Sequence, residues 1–174
     1  MFVAALALLL AGCGGGGGEE GPPTNELGVP LTPGGDNTIQ RYGREAPEAQ
    51  REQVDATLRE YAAARDTGDW ATACELISSD LRAELRSLAG ESSVLRGGSC
   101  AVVAELVNAN LPRRSSTPPP EGATPELVSL RVRGADAIAI YTAEGDFYFM
   151  PFDRDEGEWR VSELNGEALV EEGA

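Results

Sequence analysis

The chain contains no histidine and no lysine. All 14 basic residues are arginines, set against 29 acidic ones, for a formal net charge of −15. Without histidine there can be no Ser-His-Asp triad and no Cys-His pair, and the commonest metal ligand is missing. Catalysis would have to run on Asp, Glu, Tyr, Arg or a thiol, and no cofactor is implied. So little positive charge argues against a nucleic-acid partner, because phosphate contacts need a basic surface. It argues equally against electrostatic docking on an anionic membrane. Solubility is sufficient reason for the acidity. Long apolar runs are also scarce. The most apolar stretch, Met1 to Ala11, falls short of the roughly 20 residues that span a bilayer.

That short run has the length of a signal-peptide apolar region, about 7–15 residues. It leads into Leu10-Ala11-Gly12-Cys13, an aliphatic residue and two small ones before a cysteine. The pattern resembles the lipobox of bacterial lipoproteins. The resemblance implies cleavage before Cys13, a diacylglyceryl thioether on its sulfur, and residence on the outer face of the cytoplasmic membrane. Two acyl chains hold stably where one does not, at about 0.8 kcal/mol per buried CH₂. The run opens Met-Phe-Val, without the Lys or Arg that usually starts such a signal. This points to a start further upstream.

Residues 13–45 are rich in Gly and Pro and sustain no helical or alternating period. They read as a spacer too poor in apolar residues to order itself, spanning on the order of 30 Å root-mean-square. Short bound segments around Leu27-Val29-Leu31 or Ile39-Tyr42 are the exception to consider. From residue 46 the pattern turns helical. Pro47 suits a first helical position, and Val54, Leu58, Tyr61, Ala62 and Arg65 recur at helical spacing up to Asp66. Gly68 stops that helix and Asp69 caps a second, with Trp70, Ala73, Cys74 and Ile77 on one face. Ser79 is expected to cap a third helix, with Leu81, Leu85 and Leu88 inward and Gly90 as its stop. Ser99 is expected to cap a fourth, with Val103, Leu106 and Val107 inward and Pro112 as its end. After a Pro-rich loop the period becomes two. Val128, Leu130 and Val132 alternate with Ser129, Arg131 and Arg133, and three more strands follow at Ala137–Ala143, Phe147–Phe152 and Glu158–Leu164. Their short loops force antiparallel neighbours. The expected fold is α+β, with helices packed on one face of a curved antiparallel sheet of about four strands over residues 46–164. Residues 165–174 form an acidic tail.

"VDATLREYAAARDTGDWATACELISSDLRAEL" (54–85) and the closing "GEWRVSEL" (157–164) are similar to the NTF2-like (SnoaL-like) superfamily. There a long helix steps through Gly-Asp-Trp/Tyr into a short one, and the last strand reads Trp-Lys/Arg-Ile/Val. Gly68-Asp69-Trp70 and Trp159-Arg160-Val161 stand in those places. More narrowly, the chain resembles actinobacterial lipoproteins carrying this domain. The resemblance implies a cone with an apolar pocket, which Tyr61, Trp70, Ile138, Ile140, Phe147 and Phe149 could line. The same residues could simply fill a core. Some members are isomerases, dehydratases or epoxide hydrolases that use Asp or Tyr inside the pocket. Tyr61, Asp66, Tyr141 and Asp146 are the groups that could serve here, although no motif places them.

With Cys13 assigned to lipid, Cys74 and Cys100 remain, an even number outside the cell. A disulfide is the first reading, with two buried thiols or a reactive thiol as alternatives. Arg131 and Arg133 could meet an anion, but cross-strand pairing with Glu144 or Glu158 is the simpler expectation. Asp153, Asp155, Glu156 and Glu158 crowd one hairpin without the order of a calcium loop, so they read as a solvated turn. The functional expectation is a lipid-anchored extracytoplasmic domain, non-catalytic, that binds a partner protein or a small apolar ligand. A homodimer through the sheet face is a further partner to consider. A pocket enzyme is the alternative.

Overall fold

A computed structural model of the chain describes residues 23–26, 28–31, 37–92, 95–110 and 119–169. Cys13, the signal-like run before it and Pro112 lie outside these. The elements run β1 (Arg44–Glu45), α1 (Glu48–Asp66), α2 (Trp70–Leu76), α3 (Ser79–Glu91), α4 (Cys100–Asn110), β2 (Glu126–Arg133), β3 (Asp136–Ala143), β4 (Asp146–Asp155), β5 (Glu158–Val161) and β6 (Glu167–Ala168). The fold is therefore α+β, with helices first and an antiparallel meander after them. The sheet has six strands rather than four. β1 extends it beyond β2, and β5 and β6 both pair with β4.

The helices form where apolar spacing and caps agree. α1 buries Val54, Leu58 and Tyr61 on one stripe, each such side chain worth about 1.5–3 kcal/mol in transfer terms. It ends at Gly68, whose φ of +71° is a left-handed turn that glycine adopts without penalty. The Asp69 carboxylate accepts from the Thr72 amide at 3.1 Å, capping α2. The α3 cap is Ser78, not Ser79: its Oγ accepts from the Leu81 amide at 3.3 Å. Nor does Gly90 stop α3, which continues through it to Glu91; a helix tolerates a lone glycine at a cost of about 1 kcal/mol. In α4, Val103 is buried as expected, but Leu106 is exposed.

Cys74 on α2 and Cys100 on α4 stand at disulfide distance, Sγ to Sγ 2.03 Å. The bridge ties the first turn of α4 to the buried face of α2.

The sheet has two apolar faces. Leu130, Val132, Ala137, Ala139, Tyr141, Ala143, Tyr148, Met150 and Phe152 pack with the helices. Ile138 and Ile140 point the other way, with Val128, Phe147 and Phe149 beside them. Val128 was expected on the side of Leu130 and Val132. A β-bulge between Leu127 and Ser129 turns it over.

The expected spacer holds structure well before residue 45. Val29 is fully buried on the outer sheet face, where Ile39 and Tyr42 pack too. The Asn25 side chain accepts from the Val29 amide at 3.0 Å, and the Gln40 amide donates to the Pro30 carbonyl at 3.2 Å. The described part of residues 23–45 is thus a strap across the outer face, ending in β1. Its few apolar residues suffice because the sheet supplies the rest of the cluster.

Arg131 and Arg133 serve this strap, not Glu144 or Glu158. Arg131 donates to the Tyr42 and Gly43 carbonyls at 2.8 and 3.1 Å and faces Glu45 at 3.5 Å. Arg133 lies over the Tyr42 ring, 4.3 Å from its centroid. Glu158 pairs instead with Arg160.

Candidate functional site

Between the helices and the inner sheet face lies a part-open cleft of about 940 Å³. The end of α1 forms one wall, α3 and the end of α4 a second, and the segments 119–125 and 162–167 a third. Its apolar lining comes from Leu58, Leu81, Leu85, Ala143 and Met150. The small side chain of Ala143 on β3 leaves room that a larger residue would occupy.

Of the expected lining residues only Tyr61 borders this cleft. Trp70 is buried in the helix–sheet core. Ile138, Ile140, Phe147 and Phe149 belong to the outer face, beneath the strap. The error has a physical origin: both faces of β3 are apolar, so alternation cannot tell which face the helices cover.

Two tyrosines reach the cleft with different fates. The Tyr61 hydroxyl donates to the Leu164 carbonyl at 2.9 Å. Burial pushes its pKa up to about 12, against the opposing pull of the Arg65 cation. Tyr141 is 3% exposed and stacks on Tyr148 at 5.8 Å between centroids. Burial raises its pKa too, further than that of Tyr61, with Arg65 again opposing. Its hydroxyl has no hydrogen-bond partner among the described residues, and it abuts Gly166, where a Cβ would collide with it. Both phenols stay protonated at neutral pH and act as donors, not bases.

Arg65 joins them from the last turn of α1. Its Nη2 donates to Asn108 Oδ1 at 3.1 Å and to Asn165 Oδ1 at 2.5 Å. Its guanidinium stands 5.7 Å from the Tyr61 ring centroid. Its Nε is buried without a partner. No carboxylate lies within ion-pair distance of it among the described residues. Among the described residues Arg65 is also the sole basic residue on the cleft wall, where Asp66, Glu84, Glu121, Glu163 and Glu167 supply acids. The helical spacing already put Arg65 on the inward stripe with Leu58 and Tyr61. A charge on such a stripe was the available signal for this site. Asn108 and Asn165 carried none.

Asp66 lines the cleft but is exposed, and Asp146 is an exposed strand-start residue outside it. Neither is a buried carboxylate suited to general-base work. In the acidic hairpin, Asp155 accepts from the Ser79 amide at 2.8 Å and faces Arg82 at 3.6 Å. No cluster of potential metal ligands occurs among the described residues, and no helix among them is long and apolar enough to cross a membrane. No protein-family model, no curated protein and no solved structure matches the chain.

Proposed function

We propose that the chain is a lipid-anchored extracytoplasmic domain that binds a small, largely apolar molecule in the helix–sheet cleft, without transforming it. The observation that carries the reading is the cleft itself, a recess lined in near-equal part by apolar side chains and by polar and charged ones, the two ingredients that ligand sites combine. The order of helices and strands, with Gly68-Asp69-Trp70 at the first helix step, supports an NTF2-like cone. The sequence before Cys13 supports a lipoprotein of actinobacterial type, anchored through that sulfur on the outer face of the cytoplasmic membrane. The Cys74–Cys100 pair is consistent with an oxidising compartment. Non-catalytic binding is preferred over an isomerase, dehydratase or hydrolase because the cleft presents protonated phenols and a guanidinium and, among the described residues, no buried carboxylate. A partner protein at the cleft mouth is the second binder to consider.

Two measurements test this. Metabolic palmitate labelling should be lost in Cys13→Ala; label retained in that variant removes the anchor. The neutral dye Nile red should bind saturably, one per chain, and Ala143→Trp should abolish binding by filling the recess. Dye binding unaltered by that variant removes the cleft.

A further inference from the structure

Around Tyr141 and Arg65 the cleft holds donors that no described residue accepts from; the Arg65 Nε is buried without a partner. The Tyr141 side chain is 3% exposed and borders the recess, and its hydroxyl makes no hydrogen bond among the described residues. Arg65 uses only Nη2, leaving the Nη1 donors without a partner. A half-buried cation whose hydrogen-bond partners are both neutral amides is poorly compensated at close range. Protein side chains elsewhere settle such an account internally. Glu45, for instance, faces both Arg51 and Arg131.

We propose that the cleft takes an amphiphile with a carboxylate head. Its oxygens receive the Tyr141 hydroxyl and the free Arg65 donors, and its hydrocarbon lies over Leu58, Leu85 and Met150. The proposal rests on the cleft-binding reading and adds the head-group chemistry. The acids at the rim oppose an anion, but Asp66, Glu84, Glu121 and Glu163 are exposed, and Glu167 alone of the five is half-buried. Water and salt screen such charges over about 10 Å, while the contact with Arg65 is made at short range and partly out of water. An ammonium head gains from the rim yet finds only donors beneath it.

The test is displacement of Nile red from the full chain by dodecanoate, dodecan-1-ol and dodecylammonium, matched in chain length. Dodecanoate should displace at the lowest concentration. Tyr141→Phe should weaken dodecanoate about tenfold, the cost of one charge-assisted hydrogen bond, and leave the melting temperature unchanged because the hydroxyl has no native partner. Arg65→Gln should weaken dodecanoate by at least as much and leave the alcohol nearly unaffected. Should Arg65→Gln fail to fold, Tyr141→Phe alone decides. Dodecylammonium displacing as well as dodecanoate, or Tyr141→Phe leaving dodecanoate unchanged, overturns the carboxylate head while the cleft stands. Absence of any saturable dye binding overturns both.

Discussion

On the helix side of β3 stand Ala137, Ala139, Tyr141 and Ala143; on the other side, at alternate positions, stand Ile138 and Ile140. The helix side combines three alanines of β3 with the larger Tyr141, Tyr148, Met150 and Phe152 under four helices, and is left with a cleft. The outer side combines large strand residues with a thin strap and is left with none that the described residues reveal. Side-chain size on a strand therefore does not mark the face that carries the thicker layer. The difference assigns separate tasks: the outer face fastens the N-terminal segment, and the inner face offers room for a ligand.

The comparison can be broken most forcefully at the helical layer. The bridge closes a 26-residue separation between Cys74 and Cys100, and its loss in C74A/C100A should cost about 3–4 kcal/mol in the chain-entropy model. The melting curve of the double variant should match that of the reduced protein. Identical melting of oxidised wild type and variant would remove the bridge from the stability account. Next is the outer face. Ile140→Ala should cost about 2–4 kcal/mol, because Ile140 is fully buried. It should also speed amide exchange at Val29 and Leu31, while ligand-dye affinity stays near wild type. Equal loss of dye binding would show that the two faces are not independent.

Smaller effects sharpen the contrast between the two tyrosines. Tyr61→Phe removes the bond to the Leu164 carbonyl and should cost about 1–2 kcal/mol in urea unfolding, since it strands a buried acceptor. Tyr141→Phe should cost nothing, so a common penalty for the pair would contradict an unpartnered donor at Tyr141. The smallest effect lies at the sheet end, at Asp153. Burial raises its pKa, the Ser78 and Ser162 hydroxyls oppose, and Asp136 and Asp80 add to the rise. An acid with a raised folded pKa makes the native state bind more protons than the unfolded one. Its ionisation therefore erodes stability as pH rises from about 3.8 through the folded value. Asp153→Asn should raise the melting temperature slightly at neutral pH, and the gain should vanish below that window. A gain that persists in acid would place its cause elsewhere.

Much of the architecture was legible because local signals agreed. The Val54, Leu58, Tyr61 stripe, the Asp69 cap and the alternation of Leu130 with Arg131 each predict one element, and each element forms. The cysteine pair followed from counting. What stayed hidden depended on long-range layering. Ile138 and Ile140 looked like pocket residues because nothing local reveals a strap roughly a hundred residues upstream in sequence. That strap in turn looked unstructured, since Val29, Ile39 and Tyr42 form a cluster only with residues of the sheet. The Val128 bulge and the continuation of α3 through Gly90 are cases where tertiary packing overrode a local rule. At the cleft, the inward spacing of Arg65 was visible, but the meaning of the charge needed Asn108 and Asn165 from distant elements.

The strap also sets a mechanical relation between the domain and its proposed anchor. Ten residues carry the chain from Cys13 to Pro23, a reach of at most about 35 Å when fully extended. The domain would therefore stay within about its own diameter of the bilayer. Tension from the membrane would enter through the strap and β1, and load the outer sheet face before the helices. A pull would first peel Val29, Ile39 and Tyr42 from Ile138 and Ile140, lengthening the leash while the cleft on the opposite face keeps its shape.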